Sequence, residues 1–210
     1  MKRFKVLLLS LFALPNAWAN LDTNIKYSSN YLMPAYVHFN ANGSQYRVDA
    51  KINIPLYNIE FKSVGTQSKT DFKMTNYQDV RNGKPYAKTI IKGNEIAYGK
   101  VKNGLKSEPL EMPTFDLFTV AFQLSYYDKL PQNFQITNGK KLYPMKNVLV
   151  KKSERKVTRD NQSHTEITYQ FRTGEKSFVV KKYAGEQFPR YISYDKDGDH
   201  YELTFSEFVK

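Results

Sequence analysis

Tyr46-Arg47-Val48-Asp49-Ala50-Lys51-Ile52-Asn53-Ile54 decides the fold of this chain, because apolar residues take every second place over nine positions. A two-residue period sends one set of side chains into a core and their neighbours into water. Antiparallel sheet with one wet face is the natural source of that pattern. Ile167-Thr168-Tyr169-Gln170-Phe171-Arg172 repeats it, and so does Tyr201-Glu202-Leu203-Thr204-Phe205. The composition agrees: 16 tyrosines and 14 phenylalanines suit half-buried strands better than helices.

Turn signals separate these runs at short intervals. Asn42-Gly43, Asn82-Gly83, Gly93-Asn94, Asn103-Gly104, Asn138-Gly139 and Asp197-Gly198 all lie between strand-like stretches. Asn-Gly and Asp-Gly supply the positive φ angles that tight hairpins demand. A meander of hairpins is therefore expected, rather than crossovers. No internal repeat or composition shift marks a second domain, so residues 20–210 read as one antiparallel β domain.

One segment departs from this rule. From Thr114 to Asp128, Leu117, Val120, Ala121, Leu124 and Tyr127 fall at helical spacing, with Pro113 before them and Pro131 after. The spacing predicts an amphipathic helix over about 114–128, capped by Thr114, with Leu124 on its apolar stripe and Gln123 on its wet face. The expected architecture is mainly β: a curved antiparallel sheet, half-barrel or open barrel, with this helix packed across it.

The first 19 residues read as a cleaved export signal. Lys2, Arg3 and Lys5 precede the apolar run Val6–Leu14, Pro15 breaks it, and Ala17-Trp18-Ala19 offers a small-x-small cleavage site. That run is too short to span a bilayer, and no longer apolar stretch follows. A periplasmic protein of a Gram-negative envelope, beginning at Asn20, is the expectation; ATP and nicotinamide cofactors are not expected there, and no cofactor is implied. The chain has no cysteine, hence no disulfide framework, no catalytic thiol and no lipid-bearing cysteine. Its formal charge is +12, of which Lys2, Arg3 and Lys5 supply +3, leaving +9 on residues 20–210. Such an excess favours lipid headgroups, lipopolysaccharide or acidic glycan over neutral partners. It equally suits lysines that decorate wet strand faces and blunt sheet edges. Nucleic acid, the usual partner of a basic protein, is not expected outside the cytoplasm.

Three stretches carry a family resemblance. Gly43-Ser44-Gln45-Tyr46-Arg47-Val48-Asp49-Ala50 leads into Phe61-Lys62-Ser63-Val64-Gly65; Phe115-Asp116-Leu117-Phe118-Thr119-Val120-Ala121-Phe122-Gln123-Leu124 precedes Thr137-Asn138-Gly139-Lys140-Lys141-Leu142-Tyr143; and Phe188-Pro189-Arg190-Tyr191-Ile192 precedes the last hairpin. In this order they resemble the exported bacterial domain-of-unknown-function family 3108 over nearly all of residues 20–210. Phe122 stands where that family usually has Tyr, and Ser125 where Arg is common. The family has no common activity to carry over. What the resemblance implies is a periplasmic curved β-sheet crossed by a helix, similar in outline to lipoprotein-carrier half-barrels.

No phosphate-binding glycine loop, serine elbow or zinc-protease helix motif occurs. Among His38, His164 and His200, His164 shares a strand face with Glu166, a geometry open to acid–base or metal chemistry but common on exposed strands. Asp199 and His200 are adjacent and face opposite ways if extended. Asp195-Lys196-Asp197-Gly198-Asp199 reads as a hairpin turn, since its glycine comes too early for a calcium loop. Asp116 reads as a helix-start carboxylate. No metal site is predicted, and catalytic residues are not identifiable. Aromatics are the richer signal: Phe115, Phe118, Phe122, Tyr126, Tyr46 and Tyr57 are the ligand-pocket candidates, with core packing as the alternative role. The expected function is a periplasmic binding or carrier protein for an amphiphilic or anionic envelope component, rather than an enzyme. An envelope-glycan hydrolase or a structural partner of an envelope assembly are the competing readings.

Overall fold

A computed structural model describes residues 20–210 apart from Leu32 and Asp197. The expected signal, residues 1–19, lies outside the described residues. A first meander contains β1 (Leu21–Ser29), β2 (Ala35–Asn42), β3 (Gln45–Ile54), β4 (Tyr57–Gln67), β5 (Phe72–Arg81), β6 (Lys84–Lys92), β7 (Glu95–Lys100) and β8 (Lys106–Pro109). A middle segment follows: β9 (Thr114–Phe115), α1 (Leu117–Tyr127), β10 (Phe134–Thr137) and β11 (Leu142–Met145). A second meander ends the chain: β12 (Lys151–Arg159), β13 (Gln162–Thr173), β14 (Lys176–Tyr183), β15 (Tyr191–Lys196) and β16 (Asp199–Phe208).

The two meanders form one antiparallel sheet of 13 strands, spliced where β16 pairs with β1. That sheet is curved and not closed into a barrel; β12 and β8 are its free edges. Most of β12 is exposed, and Lys151, Lys152, Arg155, Lys156 and Arg159 put charge along it, which discourages edge-to-edge pairing. The expected turn signals sit between strands. Asn82 and Gly83, at φ 47° and 75°, make the two-residue link from β5 to β6, the primed turn whose twist matches a hairpin.

The middle segment packs against the large sheet. β9, β10 and β11 form a separate three-stranded sheet, with β9 parallel to β10. Helix α1 joins two apolar clusters: Phe122 belongs to the one built on β1, β2, β3 and β5, while Val120, Ala121 and Leu124 belong to the one built on β13, β14 and β15. No helix of the described residues is long and apolar enough to cross a membrane.

Two details of the helix differ from the sequence reading. It starts at Leu117, because Thr114 and Phe115 pair with β10 and the Asp116 carboxylate, not Thr114, accepts the N–H groups of Phe118 and Thr119 at 2.9 and 3.2 Å. It also has no wet face through its centre: every residue from Thr119 to Ser125 is buried. Gln123 is fully buried, accepting from Phe72 N–H at 2.8 Å and donating to the carbonyls of Thr70 and Lys129 at 3.3 and 3.2 Å. Packing on two clusters at once removes the solvent that a one-sided helix would keep.

Candidate ligand pocket

Burial along β3 falls off in a definite direction. Tyr46, Val48 and Ala50 are buried, Ile52 is half-buried and Ile54 is exposed, although all five lie on one face. β4 runs antiparallel beside it, with Ile52 opposite Ile59 and Ala50 opposite Phe61. β16 shows the same gradient, from buried Phe205 through half-buried Leu203 to exposed Tyr201. These surplus apolar side chains converge on a cavity of about 440 Å³, within the range of small-molecule pockets.

Both meanders and the helix supply its walls. Met33 and Ala35 come from the entry to β2, Ile52, Ile54, Ile59 and Phe61 from β3 and β4, Leu117 and Phe118 from the first turn of α1, and Phe178, Ile192, Tyr194 and Leu203 from the second meander. Tyr31 and Tyr201 stand at the opening with ring centroids 5.3 Å apart. Two residues beyond Ile54, Leu56 is fully exposed at the tip of the β3–β4 turn, with φ 66°.

A polar cluster fixes the helix start that faces the pocket. The buried Asp116 carboxylate caps α1 and receives the Thr119 hydroxyl, which also lies 3.1 Å from Ser63 Oγ; Tyr46 Oη is 3.4 Å from that same atom. Burial pushes the Asp116 carboxyl above its ordinary value, and hydrogen bonds from Thr119, Ser63 and the Phe118 N–H limit the rise. These groups are satisfied by one another, so they orient Leu117 and Phe118 rather than present a reactive group.

Glu202 is the charged residue in the pocket wall. Outside it, His200 bridges two carboxylates: Nδ1 contacts Asp195, directly opposite in the β15–β16 register, and Nε2 lies 3.3 Å from Glu202 Oε2. The hydrogen bond to Asp195, then that to Glu202, raises His200 above the ordinary histidine value, and His200 lowers the Glu202 carboxyl. The short β15–β16 hairpin sets this register; counting back from Gly198 would have found the pair.

Of the six aromatic candidates, Phe118 lines the pocket. Phe115 is buried against Phe134, with centroids 5.8 Å apart. Phe122 packs between Phe39 and Phe72 at 5.1 and 4.5 Å, Tyr46 lies 4.7 Å from Phe72, and Tyr126 contacts Phe72, Phe122 and Tyr127. The Tyr57 hydroxyl accepts from Arg81 at 3.2 Å. His164 and Glu166 are not brought together as a working pair: His164 stacks on Tyr183, and Glu166 bonds Arg155 at 2.7 Å. The lining residues missed in the sequence are mainly aliphatic and aromatic side chains from both meanders, and only strand register shows that they meet. No family model matches the chain, and no curated protein compared with it is significantly similar.

Proposed function

We propose that the protein is an exported binding or carrier protein that takes the apolar tail of a cell-envelope amphiphile into this pocket. The observation that carries the reading is the near-wholly apolar concavity of about 440 Å³, open at one end and edged by exposed Tyr31, Ile54 and Tyr201. An apolar cavity without hydrogen-bonding groups holds water poorly and takes apolar guests instead. Export and a periplasmic location rest on the signal-like residues 1–19, and membership of the exported family on the three resembling stretches. A single carboxylate in the lining, Glu202, gives the hydrolase reading no acid–base pair there to build on.

Titration with a fatty acid carrying a polarity-sensitive fluorophore tests the proposal. Saturable binding that survives high salt is expected, since apolar burial is not screened. Ile59→Trp, placed on a half-buried wall residue, should fill the cavity and weaken binding at least about tenfold, or about 1.4 kcal/mol, with little change in melting temperature. No binding above a charge-matched control protein, or equal affinity in Ile59→Trp, would count against it.

A further inference from the structure

The basic charge missing from the apolar pocket gathers in a separate groove at the β8 edge of the large sheet. Lys100 closes β7, Lys106 opens β8, and Lys140 and Lys141 come from the turn between β10 and β11. All four line one open depression of about 530 Å³, with no carboxylate in its wall. Among the described residues, Lys100, Lys140 and Lys141 have no acidic partner within ion-pair distance; Lys106 lies 3.7 Å from Glu108, just outside the groove. Lys100 and Lys140 are half-buried beside the Tyr86 ring, 5.6 and 5.8 Å from its centroid, and the Arg81 guanidinium sits 3.8 Å from the same centroid.

The backbone holds these charges together. Gly139 is buried at φ 79°, and a Cβ there would lie 3.0 Å from Ala87 Cβ and 3.2 Å from Lys88 N, so the turn can approach β6 this closely only with glycine. Gly99 N–H donates to Gly139 O at 2.8 Å, and the Thr89 and Thr137 hydroxyls meet at 2.6 Å beneath. The Asn138 carboxamide oxygen then accepts the N–H groups of Lys140 and Lys141 at 3.1 and 3.0 Å, fixing where both lysines leave the turn. Like charges pinned at close range repel, and the repulsion grows as the groove loses water. The Tyr86 phenol registers the local field: the Lys100 hydrogen bond, and the charges of Lys100, Lys140 and Arg81, hold it below the ordinary tyrosine value.

We propose that this groove binds a terminal phosphate group. Lysine ammoniums are point charges with three donors each, suited to a compact acceptor that carries several oxygens. A phosphomonoester brings about −1.5 to −2 charge at neutral pH, against −1 for a carboxylate, and so answers more of the four lysines. The groove has no arginine in its lining, and it therefore lacks the planar fork that matches carboxylates in pairs. This site is independent of the apolar pocket.

Calorimetric titration with inorganic pyrophosphate, and flotation with phosphatidylcholine vesicles with or without phosphatidic acid, separate a free phosphate from a lipid headgroup as its source. Lys140→Gln with Lys141→Gln is expected to weaken binding at least about tenfold, or about 1.4 kcal/mol. Lys69→Gln with Lys73→Gln removes the same charge from exposed positions elsewhere and should change it little. Binding to either source, lost selectively in the first variant and weakened by salt, supports the site. Equal losses in the two variants would reduce the effect to net charge and overturn it, as would binding of neither probe. The fluorescent fatty acid should bind the Lys140/Lys141 variant as it binds the parent protein, so failure here leaves the pocket reading untouched.

Discussion

Gln123→Ala separates a helix with one wet face from the buried helix observed. On a solvent-facing position, alanine is the best helix former, and the change would be neutral or stabilise by a few tenths of a kcal/mol at about 25 °C. The structure demands the opposite sign. Gln123 is fully buried, and its carbonyl oxygen holds the N–H of Phe72, itself 1 % exposed, at 2.8 Å. Truncation leaves that donor unpaired inside the protein, costing about 1–3 kcal/mol. One methylene leaves the interior as well, at about 0.8 kcal/mol. Thr70 and Lys129, whose carbonyls also lose a partner, are exposed enough to turn to water and add little. The sum is roughly 2–4 kcal/mol, which in a chain of this size lowers the melting temperature by about 4–16 °C. Urea titration followed by circular dichroism should show a lower midpoint at unchanged slope. A variant that melts within about 1 °C of the parent, or above it, would refute the two-sided burial of α1.

Three further outcomes follow from single side chains. Ser125 Oγ is, among the described residues, the buried side-chain polar atom without a hydrogen-bond partner, so Ser125→Ala should be neutral or raise stability by up to about 1 kcal/mol, read from the urea midpoint. Lys182, 6 % exposed, donates to Ser125 O and Asp128 at 2.6 and 2.8 Å at the helix C-terminus; Lys182→Met should cost about 1–3 kcal/mol. Burial pushes the Asp128 carboxyl up, but the bonds from Lys182 and Tyr169 outweigh it and hold the group below the ordinary 3.8. Its contribution is therefore present above that value and lost as pH falls through the folded one, so the gap between parent and Lys182→Met should narrow in acid unfolding curves. Leu56→Gly relieves a left-handed leucine and should stabilise by about 0.5–1 kcal/mol in thermal melts.

The strand pattern was legible because the sheet buries one face, so period two survives in strands such as β2 and β3. The helix was legible in existence but not in its surroundings. Its spacing marks Leu117, Val120, Ala121, Leu124 and Tyr127 correctly as apolar, yet Thr119, Gln123 and Ser125 are buried beside them. A polar residue reads as wet unless its partner is known, and the partners of Gln123 lie in the β4–β5 turn and beyond the helix end, out of reach of local periodicity. The helix start was misread for a related reason. Thr114 looks like a cap until β10, 20 residues later, claims it as a strand partner. The pocket was the least legible part. Alternation shows which face a residue takes, not how far along the strand the core extends.

That last distinction carries the functional argument. The inner face of β3 is fully buried as far as Ala50, and the alternation then continues through Ile52, half-buried against the edge of the core, to exposed Ile54. Register brings Ile59, Leu203 and Tyr201 to the same uncovered end. Exposed apolar surface forgoes about 25 cal/mol for each Å² left in water, so these residues weaken the case for a purely structural role. Polar side chains at Ile54 and Tyr201 would leave every buried contact of the core in place, because neither residue is part of either cluster. Leu56 adds an exposed leucine in a conformation that glycine adopts more readily. Charge follows the opposite rule: lysines are absent from this wall and pinned by Gly139 around a separate groove. A molecule that only had to fold needs neither arrangement.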